Sequence, residues 1–142
     1  MKTRMSHYSA LPTLLGILLF GFACDQPTDD DSSPAAGDAS LSALVVVDGA
    51  SGQDLVLDPV FAPDTVAYSA TASVMGSVLT VQGSTTATIF IVNINGATAD
   101  YLNNNDFESP AALNLTAPET ITISVTAEDN TVLQYVVDIA AP

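Results

Sequence analysis

Between Leu41 and Ala140 the apolar positions recur every second residue, in short runs broken by Gly, Pro, Asn and Asp. The pattern is cleanest near the C-terminus. Ile121, Ile123, Val125 and Ala127 interleave with Thr122, Ser124 and Thr126, and Tyr135, Val137 and Ile139 interleave with Val136 and Asp138. A period of two puts each apolar set on one face of a sheet. Between these runs, Glu128-Asp129-Asn130-Thr131 predicts a hairpin turn, with Asn130 able to take the positive φ that such turns need. Asn95-Gly96 predicts a second turn after Ile89–Ile94, a run apolar on both faces in its middle and so placed inside a sheet rather than at its edge. The strands expected from this pattern are 43–47, 54–57, 66–72, 77–82, 86–94, 120–127 and 132–139. No stretch keeps a helical period. Together they predict an all-β domain, a single seven-stranded antiparallel β-sandwich, with Phe61, Tyr68, Phe90 and Tyr135 in its core.

The N-terminal 40 residues follow different rules. Lys2, Arg4 and His7 precede the apolar run Leu11–Ala23, and Cys24 follows it. That run is about a dozen residues, short of the ~20 a spanning helix needs, so residues 1–23 are expected to be an export signal. The segment Phe20-Gly-Phe-Ala-Cys24 resembles the lipobox of bacterial lipoproteins. The resemblance implies that Cys24 is acylated and becomes the new N-terminus, giving a lipid anchor at the cell envelope, on its periplasmic or surface side. Gly21 and Ala23 also satisfy the small-x-small pattern of ordinary secretory cleavage at the same bond. Residues 25–40, DQPTDDDSSPAAGDAS, hold no large apolar side chain and are expected, with Cys24, to form a flexible acidic linker over 24–40. The folded domain is then 41–142.

Charge narrows the chemistry. The chain has 2 Lys+Arg and 16 Asp+Glu, and after His7 there is no Lys, Arg or His at all. Such an acidic surface repels nucleic acid and anionic lipid headgroups, and nucleotides have no cation to hold them. A Ser/His/Asp triad, a Schiff-base lysine and an arginine anion clamp are all excluded. Only a facing carboxylate pair could support catalysis, and none is apparent, so the chain is expected not to be an enzyme. Cys24 is its one cysteine, which leaves no intramolecular disulfide.

The segment Asp100–Glu108, DYLNNNDFE, is the densest polar stretch of the domain. Tyr101 and Phe107 flank Asn103, Asn104 and Asn105, and rings beside amides are the chemistry of a sugar platform; the alternative is that both rings fold back over the sandwich. Asp100, Asp106 and Glu108 are hard oxygen ligands that would suit calcium, although their spacing is not that of an EF-hand. No other cofactor is expected.

Leu41–Val47, the stretch Leu57–Tyr68, the Ile94-Asn-Gly96 turn, and Ile121–Thr131 followed by Tyr135 together resemble the bacterial cadherin-like β-sandwich domain. The resemblance covers nearly all of 41–140. Asn130 stands where that family usually has Gly, and 97–112 is longer than its usual return. The resemblance implies an immunoglobulin/cadherin-like sandwich of exported bacterial proteins with a carbohydrate-binding or adhesive role, and it carries no catalytic residues. The expected function is therefore a non-enzymatic envelope lipoprotein presenting a binding or adhesion module to a glycan or an envelope protein. The alternatives are a structural or protein-interaction accessory without a small ligand and, more remotely, a calcium-dependent adhesion module.

Overall fold

The computed structural model describes residues 37–87 and 89–142, with Ile89 and Phe90 described by their backbone alone. The expected signal peptide, Cys24 and the linker as far as residue 36 lie outside the described residues. Gly37–Ser40 do not behave as tether. Ala39 is buried, and the Asp38 carboxylate accepts hydrogen bonds from Ser40 N (2.9 Å) and Thr86 Oγ1 (2.7 Å). Gly37–Ser40 thus belong with the folded domain rather than with the expected linker.

Eleven strands follow, with no helix among the described residues: β1 (Leu41–Asp48), β2 (Gln53–Asp54), β3 (Ala67–Thr71), β4 (Val78–Thr85), β5 (Ile89–Ile94), β6 (Ala97–Thr98), β7 (Asp100–Tyr101), β8 (Asp106–Glu108), β9 (Leu115–Thr116), β10 (Glu119–Ala127) and β11 (Val132–Ala140). They form two sheets. The first has the order β2-β1-β4-β8-β7, with β9 also paired to β4; the second has the order β3-β11-β10-β5-β6. Four of the eleven are two-residue pieces, so the strand count exceeds the seven expected. Four of the extra strands come from 97–116, which returns as β6 to β9 along the sheet margins rather than as one long loop.

Two further expectations need correction. The sandwich is not wholly antiparallel, because β3 runs parallel to β11, pairing Ala67 with Val136 and Thr71 with Ala140. The strand expected at 54–57 ends at Asp54. After Leu55 N donates to Val46 O (2.7 Å) the chain leaves the first sheet and crosses to the second, where Asp58 bridges Ser69.

The alternation predicted for β10 and β11 is realised residue by residue. Ile121, Ile123, Val125, Ala127, Tyr135, Val137 and Ile139 face inward, and Leu44, Val46, Leu79 and Val81 of the first sheet oppose them in one core. In β1 the inward set steps from Leu41 to Leu44, a spacing of three that a register shift near Ala43 absorbs, as a bulge does. Asn95 (φ 49°) and Gly96 (φ 82°) make the β5–β6 turn, and Asn130 (φ 69°) the β10–β11 turn. Strand β5 is second from the edge, covered only by two-residue β6.

Of the four aromatics expected in the core, Tyr68 and Tyr135 are buried, and Phe61 is half-buried, stacked on Tyr68 with ring centroids 5.9 Å apart. The Phe90 side chain lies outside the described residues. Both tyrosine hydroxyls are satisfied, as buried hydroxyls must be. Tyr135 accepts from Leu41 N (2.8 Å) and donates to Pro63 O (3.3 Å), pinning the entry of β1 and the 62–64 turn to β11. Burial pushes its phenol pKa up. Tyr68 donates to Thr65 O (2.6 Å), closing the turn that leads into β3.

Candidate functional site

The sequence-predicted site, Asp100–Glu108, is the tip of the β7–β8 hairpin, with Asp100 opposite Glu108 and Tyr101 opposite Phe107. Its polar side chains are mostly engaged in building the turn. Asn103 Oδ1 accepts from Asn105 N (3.0 Å) and Asp106 N (2.9 Å), and Asn105 Nδ2 donates to Thr85 O (3.3 Å). Asp106 accepts from Ser84 Oγ and Asn103 Nδ2, and these bonds hold its carboxyl below the usual carboxylate range. Asn104 is exposed.

The two rings part company. Phe107 is 0% exposed, which corrects its assignment to a sugar platform, since a ring without an open face has nothing to stack on. Its place is made by Gly83 on the paired strand β4: a Cβ there would lie 2.6 Å from Phe107 Cζ and 2.8 Å from Ala43 O. Tyr101 is 44% exposed, yet its hydroxyl accepts from Val92 N (2.8 Å). It reaches from the edge of the first sheet to β5 of the second, ahead of the short cover that β6 gives. Leu102 and Asp106 border a shallow depression of about 260 Å³ on the outer side of β1 and β4, beside Val45 and Gln82. Asp100, Asp106 and Glu108 share that face by register. Among the described residues no three His, Cys, Asp or Glu side chains gather as a metal site.

A larger concavity, about 1010 Å³, lies elsewhere and was not anticipated. Its floor is the outer face of the second sheet, where Ser69 and Thr71 of β3 stand beside Asp138 and Ala140 of β11 and next to Thr120 of β10. One wall is the crossing segment with Asp54, Leu55, Val56 and Asp58; the other is Pro118 and Glu119. The acidic groups differ in their commitments. Glu119 accepts from Asn95 Nδ2 (2.8 Å) and Thr116 N (2.8 Å), and Asp138 accepts from Thr120 Oγ1 (2.7 Å). The Asp54 and Asp58 carboxylates take no hydrogen bond from the described residues. No aromatic ring lines the groove.

Asp48, at the end of β1, is fully buried without a cation. It is held by Ala50 N (2.8 Å), Ser73 N (2.7 Å) and the Ser73 hydroxyl, and the Ser73 donors, foremost its hydroxyl, keep the carboxyl well below its ordinary range. It fastens the loop after β3 to β1. Nothing in the sequence marked it, because a lone Asp closing a strand reads as solvated.

The groove residues span 51–140, and only the sheet register brings them together. The available signal was weak: Val56 and Val60, large apolar residues in a Pro- and Asp-punctuated segment, are 82% and 79% exposed.

Comparison with curated proteins and with solved structures returned no match. The family model described as a cadherin-like beta sandwich domain matches residues 41–140. That span is most of the chain and contains both sheets, and the chain therefore belongs to the cadherin-like β-sandwich family.

Proposed function

We propose that the protein is a non-enzymatic interaction module of the bacterial cell envelope, exported and tethered through a lipid on Cys24, which binds an envelope protein on the groove side of its sandwich. The observation that supports this most is the contrast in commitment between its two polar surfaces. The loop 100–108 uses Asn103, Asn105, Asp106 and one of its rings internally, whereas the groove is large, open and lined by exposed Val56 and by two carboxylates without donors. Exposed apolar side chains beside an open sheet margin are features of protein-interaction surfaces. The residue inventory agrees: from residue 37 onward there is no His, Lys, Arg or Cys to act as nucleophile or base, and cadherin-like sandwiches are typically non-catalytic.

A photo-crosslinking residue placed at Val56 and, separately, at Asn104 in producing cells tests this. A discrete protein adduct from position 56 and none from 104 is the expected result. Adducts from 104 alone, or glycan adducts there, would return the function to the loop and to carbohydrate. The anchor is tested apart from the partner: Cys24→Ala is expected to move the protein from the membrane to the soluble fraction.

A further inference from the structure

Strand β3 has one filled edge and one nearly empty edge. Val136 N donates to Val66 O (2.8 Å) and Ala72 N donates to Ala140 O (2.9 Å). The even-numbered residues of β3 therefore turn their backbone groups toward β11, and Ala67, Ser69 and Thr71 turn theirs outward. Of these three, Ser69 is taken: Asp58 N donates to Ser69 O and Ser69 N to Asp58 O, each at 2.8 Å. Continuing that antiparallel register would set Val60 against Ala67 and Val56 against Thr71. Among the described residues neither pair is hydrogen-bonded, and on the Thr71 side the two segments diverge into the groove. An edge with free N–H and C=O groups is a template for another extended chain.

We propose that the groove at Thr71 docks a short extended segment of a partner protein in which Lys or Arg alternates with small apolar residues. This rests on reading the groove as the interaction surface. The backbone of the guest would pair with Thr71, its apolar side chains would meet Val56, Leu55 and Ala140, and its cations would reach Asp54, Asp58 and Asp138. Charge complementarity decides the occupant. The described domain contains no Lys, Arg or His, so these carboxylates have no counter-charge of their own, and a second copy of the domain brings none. A divalent cation finds no cluster of three ligands among the described residues, and a neutral glycan finds no ring to stack on.

The test uses the full chain in detergent with three blocked peptides: (Lys-Val)4, (Glu-Val)4 and octalysine. Saturable binding of (Lys-Val)4, one per chain, at least tenfold tighter than octalysine and with no detectable binding of (Glu-Val)4, is expected. Thr71→Pro removes the edge N–H, and Asp54→Asn with Asp58→Asn removes the charge. Each is expected to weaken (Lys-Val)4 at least tenfold, and the second also to flatten the salt dependence. If Thr71→Pro does not fold, the Asn variants and the octalysine comparison carry the test alone. Equal binding of octalysine, or a folded Thr71→Pro that binds normally, would reduce the effect to unspecific charge attraction and overturn strand docking. If no peptide binds while position 56 still yields a protein crosslink, the cationic-strand proposal is overturned and the interaction reading stands. Loss of both signals overturns both.

Discussion

The hairpin tip Asp100–Glu108 and the groove beside β3 are both rich in carboxylates and small polar side chains, yet the fold treats them oppositely. In the tip, Asn103, Asn105 and Asp106 each hold a neighbouring backbone or side chain in place, Phe107 is sunk into the core, and the Tyr101 hydroxyl caps an edge N–H. In the groove, Asp54 and Asp58 accept nothing from the described residues, and Val56 stands 82% exposed. Residue type is therefore a poor guide to purpose in this chain. A polar group whose hydrogen bonds are all made inside the fold supports the fold, and one that is left open is available to something else.

The sharpest way to break that contrast is through Phe107. Phe107→Ala is expected to cost about 3–5 kcal/mol in urea unfolding, while Asn104→Ala stays within about 0.5 kcal/mol. A stable Phe107→Ala protein that had lost binding would reinstate the tip as a site. Gly83→Ala should follow, at about 1–3 kcal/mol, because its Cβ meets a backbone carbonyl as well as the ring and only one of these can shift.

Acid unfolding sharpens the comparison among carboxylates. Asp38, Asp48, Asp106 and Asp129 all have folded pKa values below the ordinary range, through donors from Ser40, Ser73, Ser84 and the Thr131 backbone respectively. Such a group contributes stability that is complete above its unfolded pKa of about 3.9 and is lost as pH falls through the folded value. The melting midpoint should therefore fall steeply below about pH 4, and Asp48→Asn should flatten that limb more than Asp106→Asn does. Equal slopes in the two variants would show that the Ser73 donors favour the Asp48 carboxylate no more than Ser84 and Asn103 favour that of Asp106.

Smaller effects are expected at the remaining positions. Tyr101→Phe leaves Val92 N–H without its acceptor at a half-open edge, a loss of about 1 kcal/mol by chemical denaturation. Asn substitutions at Asp54, Asp58 and Asp138 should change stability by less than about 0.5 kcal/mol. At low salt the midpoints of the Asp54 and Asp58 variants should rise slightly, since each removes like-charge repulsion from a carboxylate that accepts no hydrogen bond, whereas Asp138 accepts from Thr120. A marked destabilisation by Asp58→Asn would mean that its carboxylate, and not only its backbone bridge to Ser69, holds the crossing segment.

Much of the architecture was legible before any coordinates. The inward sets of β10 and β11, both Asn turns and the burial of Tyr68 and Tyr135 follow from period two and from the positive φ that Asn tolerates. The 97–116 stretch was not legible because strands of two or three residues are too short to show a period, and they exist only where β4, β5 or, for β7, β8 offers an edge to pair with. The parallel placement of β3 was hidden because β3 and β11 lie more than sixty residues apart in the chain and neither carries a mark of its partner's direction. At the candidate site, the sequence drew attention to a dense local cluster, and that cluster proved to be turn chemistry, while the groove gathers residues from 51 to 140.

By itself, the amino-acid sequence determined which residues alternate, where the chain must turn, that the domain is all-β, and that its surface is acidic with no cation to answer it. These are local properties, set by side-chain periodicity, backbone φ preference and composition. Tertiary structure alone decided which carboxylates are spent and which are open, because donors such as Ser73 for Asp48 and Ser84 for Asp106 arrive from 25 and 22 residues away. It likewise decided that β3 keeps an edge, since a strand's free backbone groups are defined only by the neighbours that fail to cover them.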